Sequence, residues 1–97
     1  MPITIKPYID MQVNKPKIYL VSIIYDKYVS WEFCMKTLMD VFHHTEENAK
    51  IITDDILSNG EGFCGGYMLE IAETKAELVE TKAKKEGLSL FCLVEEA

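Results

Sequence analysis

Apolar positions follow two rhythms along this chain, one of period two or none over short runs and one of three and four over long runs. Lys17 to Ile24 reads KIYLVSII, a β-branched and aromatic run that is apolar on both faces and too short for an ordinary helix. That pattern predicts a covered central strand. Tyr25 to Val29 links it to Ser30, an N-cap residue, with Glu32 placed to favour the positive end of a helix. From Trp31 to His43 the apolar residues Trp31, Cys34, Leu38, Val41 and Phe42 recur at three and four, the spacing of one buried helical face. Thr45 caps a second helix with Glu46 and Glu47 in its first turn, a buried stripe of Ala49, Ile52 and Ile56, and a stop at Asn59-Gly60. Phe63 to Met68 is short, aromatic and glycine-containing, as expected of a strand that a neighbour approaches closely.

Leu69 to Glu86 predicts the longest helix, striped with Ala72, Ala76, Val79 and Ala83 and ended by Gly87. Glu70 and Glu73 lie early in it and Lys82, Lys84 and Lys85 late, in line with the helix dipole. Leu90 to Val94 is the third strand. The order β-α-α-β-α-β predicts a two-layer α/β (α+β) sandwich, with a small sheet and helices on one face. Pro2, Pro7 and Pro16 crowd the first sixteen residues and keep them from regular helix or central strand, so residues 1–16 read as an extended arm and residues 17–97 as the core domain. A chain of 97 residues leaves no room for a second domain beside that core.

Composition narrows the function. Sixteen acidic residues against ten basic ones give a net charge of −6, and all ten basic residues are lysine. A surface so charged opposes phosphate neutralisation, and without arginine it lacks the fork that reads guanine, so no nucleic-acid partner is expected. No apolar run approaches the roughly eighteen residues of a membrane span, and the N-terminus lacks a basic and then apolar leader. No membrane partner is expected either. Cys34, Cys64 and Cys92 are odd in number and widely spaced, which fits a reducing cytoplasm or organelle stroma rather than a disulfide framework or zinc site.

Candidate chemistry is sparse. Gly60-x-Gly62-x-x-Gly65 has the letters of a dinucleotide fingerprint, but a predicted helix precedes it and a strand follows, the reverse of what a pyrophosphate site needs. His43 and His44 point apart at a helix end, and no third ligand is near in sequence. The cysteines fall in apolar settings without an orienting imidazole, and the mid-helix pair Asp54 and Asp55 has no visible partner for acid–base work. No catalytic residue, metal or cofactor is expected. What remains is a cleft beside the loop Tyr25 to Val29, lined by Val29, Trp31, Thr53, Ile56 and Leu57, with Asp26 near its mouth. A mostly apolar pocket with one carboxylate suits a hydrophobic side chain and an adjacent ammonium. Trp31 reads equally as a core or solvent-facing aromatic at a helix start.

Several segments in order carry a family resemblance: Trp31-Glu32-Phe33, Val41-Phe42, Cys64-Gly65 within Gly60 to Tyr67, Ile71-Ala72-Glu73-Thr74-Lys75, and the close Cys92 to Ala97. From about Tyr19 to Ala97 the sequence resembles the ClpS adaptors of the Clp AAA+ protease. The resemblance implies a three-stranded antiparallel sheet with three helices, a non-enzymatic monomer, and docking on the N-terminal domain of a Clp ATPase. It places the docking residues at Glu70, Thr74 and Lys75, and Lys75, as a surface lysine, is expected to contribute little to stability. The arm before the first strand stands where family members need one for substrate delivery.

The substrate pocket implied by the resemblance comprises Tyr25, Asp26, Val29, Trp31, Cys34, Thr53, Ile56, Leu57 and Leu90. Of the family's three polar groups that hold a substrate's α-ammonium, an asparagine, an aspartate and a histidine, the positions here are Tyr25, Asp26 and Leu57. Trp31 replaces the methionine gate and Thr53 a second methionine. Two lost partners, at about 1–3 kcal/mol each, weaken recognition of a free N-terminus by roughly a hundredfold or more. Lys27 adds repulsion. The expected function is docking on the ATPase to modulate or deliver substrates, including peptides with a hydrophobic N-terminal residue. Alternatives are a docking modulator without N-degron binding and a structural domain of ribosomal-stalk-like fold.

Overall fold

The computed structural model describes residues 17–25 and 28–97; the expected arm over 1–16 and the loop residues Asp26 and Lys27 lie outside them. Strand β1 (Tyr19–Tyr25) is followed by α1 (Trp31–Asp40), α2 (Glu46–Asn59), β2 (Glu61–Tyr67), α3 (Leu69–Lys85) and β3 (Leu90–Glu96). The predicted β-α-α-β-α-β order is therefore the observed one. Both predicted N-caps are made: Ser30 Oγ accepts from the Phe33 amide at 3.0 Å, and Thr45 Oγ1 from the Asn48 amide at 3.2 Å. Each takes up a backbone donor that the first helical turn leaves without a partner.

Several boundaries differ from expectation, β2 ending at Tyr67, α3 at Lys85 and β3 at Glu96 rather than at Met68, Glu86 and Val94. β1 starts two residues later and includes Tyr25, which was assigned to the linking loop. Helix α1 stops at Asp40 rather than His43, because His43 takes a left-handed φ of 59° and the His44 amide returns to the Leu38 carbonyl. Val41 and Phe42 stay buried, but in the turn. β2 begins at Glu61, two residues earlier than its aromatic content suggested.

The sheet is antiparallel with order β2-β1-β3, so β1 is central as predicted. Its covering is one-sided. Val21 and Ile23 face the helices and are wholly buried, whereas Leu20, Ser22 and Ile24 lie on the open face and are only partly shielded, Ser22 by Phe63 and Leu93 across the ladder. Opposite Val21 and Ser22, Cys64 is an extra residue in β2 and makes a bulge. Leu38, Ile56, Cys64 and Val79 complete the core with Val21 and Ile23.

Two glycines hold the helix–sheet junction together. Gly60 ends α2 with a φ of 84°, a conformation that side chains disfavour, and its amide returns to the Ile56 carbonyl. A Cβ on Gly62 would lie 2.5 Å from Ile56 Cγ1 and 3.3 Å from the Ile52 carbonyl oxygen, so α2 sits on β2 at a distance only glycine permits. The glycine motif serves a helix stop and a close contact, as its order in the chain implied. On the other edge the Cys92 amide of β3 donates to the Glu80 carboxylate of α3 at 3.0 Å. Among the described residues no helix is long and apolar enough to cross a membrane.

Candidate functional site

Two of the predicted cleft residues, Leu57 and Leu90, meet Tyr25 at one end of the sandwich. Tyr25, last residue of β1, pairs with Leu90, first residue of β3. Because successive strand residues alternate faces, Tyr25 shares the helix side with Val21 and Ile23. Its phenol reaches α2 and donates to the Leu57 carbonyl at 3.2 Å, while its amide donates to the Gly60 carbonyl at 3.1 Å. One residue thus takes up two acceptors at the C-terminal end of α2, where helical carbonyls lack partners within the helix.

Val29, Cys34, Ile56 and Leu90 are buried in a common apolar cluster, with Leu57 packed against it. Thr53 is also wholly buried, and its Oγ1 has no hydrogen-bond partner among the described residues. Trp31 departs from the expected buried stripe: 45% of its surface is exposed. It occupies the first helical position, and side chains lean toward a helix's N-terminus, so this one projects past the end of α1 instead of onto the sheet. Asp26 lies outside the described residues.

The thiols sit in low-polarity surroundings. Burial pushes the Cys34 thiol up to about 11, and burial followed by the nearby Glu80 carboxylate pushes Cys92 up to about 12. Burial likewise raises Cys64, with a smaller push from Cys92. A protonated, buried thiol is a small hydrophobe rather than a nucleophile.

The second predicted group lies along α3. Glu70 is exposed in the first turn, and Thr74 Oγ1 donates to the Glu70 carbonyl at 2.9 Å. Met68, Leu69 and Ile71, all exposed, share with Glu70 the lining of a depression of about 320 Å³. Sequence reasoning missed these apolar neighbours, whose signal was three large hydrophobic residues off the alanine stripe of α3. Lys75 is not a free surface lysine. Its ammonium donates to the Val41 carbonyl at 2.6 Å and lies 5.1 Å from the Tyr67 ring centroid and 5.9 Å from that of Phe42. His44, once a metal candidate, bonds through Nε2 to the Cys64 carbonyl.

A family profile described as ATP-dependent Clp protease adaptor protein ClpS matches residues 14–93. The chain belongs to the ClpS family. Among ClpS relatives, the adaptor of Nitratidesulfovibrio vulgaris strain DP4 is 39% identical over 88 residues, spanning 91% of this chain and 85% of its own. That of Helicobacter hepaticus is 36% identical over 88 residues, spanning 91% and 89%. The structure of Agrobacterium tumefaciens ClpS2 bound to L-phenylalaninamide superposes with a TM-score of 0.79 at 28% identity, covering 86% of this chain and all of that one. Family membership makes this a Clp protease adaptor, with the strand and helix order of its ClpS neighbour.

Proposed function

We propose that this ClpS-family adaptor docks on the N-terminal domain of a Clp AAA+ ATPase through the start of α3, and that Tyr25 holds its side-chain cleft closed. The A. tumefaciens relative binds L-phenylalaninamide, which carries the free α-ammonium and aromatic side chain of a peptide beginning with phenylalanine. A cleft for such a ligand needs an open apolar slot and acceptors at its rim. Here the rim acceptor on Leu57 is taken by the Tyr25 phenol, and Val29, Cys34, Thr53, Ile56 and Leu90 are buried against the core. That tyrosine bridge carries the reading of the cleft.

Docking rests on family membership and on the exposed face of α3. Met68, Leu69 and Ile71 surround one carboxylate, Glu70, an apolar patch with a charged contact of the kind that protein interfaces bury. The full chain is titrated against the isolated ATPase domain, alone and as Glu70→Lys, which should bind at least about tenfold more weakly while the variant remains folded. A folded wild-type chain that fails to bind overturns the docking reading.

The cleft is tested with Trp31 fluorescence and peptides beginning with Phe, free or N-acetylated. Wild type should show no saturation up to about 100 µM, and Tyr25→Asn should gain binding that acetylation abolishes. Saturable, acetylation-sensitive binding by the wild type overturns the closed cleft and identifies an N-degron adaptor.

A further inference from the structure

Between α1 and the last turn of α3 lies a hollow of about 180 Å³ lined by Phe33, Lys36, Thr37, Lys82, Lys85 and Glu86. Three of the chain's ten lysines line it although the net charge of the chain is −6. Among the described residues none of the three has a carboxylate at ion-pairing distance, the ion pair found being Lys17 with Glu96. Lysines that line one hollow without an ion-pairing carboxylate favour an anion among them, and Lys82 is half-buried, where screening by water is weaker.

The α3 dipole explains part of this cluster. Lys82 and Lys85 stand in its last turn, where cations are favoured. Lys36 does not follow from that rule, for it lies in the middle of α1, away from either end of that helix. Its place beside the other two is a property of how α1 and α3 meet. The floor, Phe33 and Thr37, is buried, so an anion seated there would be shielded on one side.

We propose that this hollow binds a phosphomonoester group. The three lysines and Glu86 of the lining sum to a formal side-chain charge of +2, more than the partial negative charge at the end of α3 offsets. A phosphomonoester carries about −1.5 to −2 at neutral pH and presents three acceptor oxygens to lysine donors. A single carboxylate supplies half that charge. The ester is borne either by a free small molecule or by a phosphorylated side chain of another protein.

The test is an NMR titration of the ¹⁵N-labelled full chain with inorganic phosphate, O-phosphoserine amide and a phosphoserine peptide, with acetate for comparison. Phosphate and phosphoserine amide should shift the amides of residues 33–37 and 82–86 and saturate in the range of about 1–10 mM. Lys36→Gln with Lys82→Gln should weaken this at least about tenfold while the remaining spectrum stays that of the folded chain. Should the double variant unfold, Lys36→Gln alone, at an exposed position, must still weaken it measurably. A phosphopeptide about tenfold tighter than the amide assigns the ester to a protein, and equal affinities assign it to a small molecule. Absence of localised shifts at about 20 mM phosphate, equal shifts with acetate, or undiminished binding by the variants overturns the proposal.

Discussion

Lys75 of α3 donates to the main-chain carbonyl of Val41 at 2.6 Å and so closes the C-terminal end of α1 from another helix. The last turn of α1 contains no basic residue of its own, and Val41 is its C-cap. The partial negative charge of that helix end is met by a lysine 34 positions later in the chain, held over the rings of Tyr67 and Phe42. A residue implied in docking therefore has a structural task first.

Replacing Lys75 by Met keeps the stem but removes the donor and the charge, and should cost about 1.5–3 kcal/mol in urea unfolding. Glu70→Ala, at an exposed position, should stay within about 0.5 kcal/mol of wild type. If both weaken ATPase docking, the melting temperatures separate the two causes: Lys75 acts through the fold and Glu70 by contact. An unchanged stability for Lys75→Met would contradict the structural role.

Gly62→Ala places a methyl 2.5 Å from Ile56 Cγ1, with the Ile52 carbonyl behind it. The side chain of Ile56 is wholly buried and has little room to yield. The expected loss is about 1–3 kcal/mol, read from the denaturation midpoint.

Thr53 carries a buried hydroxyl without a partner among the described residues. Thr53→Val exchanges that hydroxyl for a methyl of similar size and should stabilise the chain by about 1 kcal/mol, seen as a higher unfolding midpoint at constant slope. A destabilised variant would mean that the hydroxyl has a partner after all, such as a water molecule.

The thiols predict an alkaline weakening. Their ordinary value is 9.0, and burial raises Cys34 to about 11 and Cys92 to about 12 in the folded chain. Below pH 9 both folded and unfolded states keep these protons. Above it the unfolded chain releases them while the folded chain retains them, so the unfolded state binds fewer protons and stability falls as pH rises. Denaturation midpoints should decline from about pH 9 toward 11, and replacing Cys34 by Ala should flatten part of that slope. Thiol reagents at neutral pH should label the native chain slowly and the unfolded chain fast.

Local chemistry made much of the fold readable. The caps at Ser30, Thr45 and Gly60, the alanine stripe of α3 and the β-branched run of β1 each act over a few residues, so the element order followed from their spacing. The glycine motif was read correctly for the same reason: what precedes and follows it is local. The end of α1 was not readable, because the reversal at His43 and the buried turn at Val41 and Phe42 are held by contacts from α3 and β2.

The sequence by itself determined the helices, the strands, their order and the family likeness, since periodicity, capping and motif letters all live on neighbouring residues. Tertiary structure alone decided which side chains are free. It tied Tyr25 to the end of α2, turned Trp31 outward, drew Lys75 onto the end of α1 and gathered Lys36 with Lys82 and Lys85. Each of these joins groups from separate elements, through hydrogen bonds and fields that reach only a few ångströms, and no spacing along the chain encodes such a meeting.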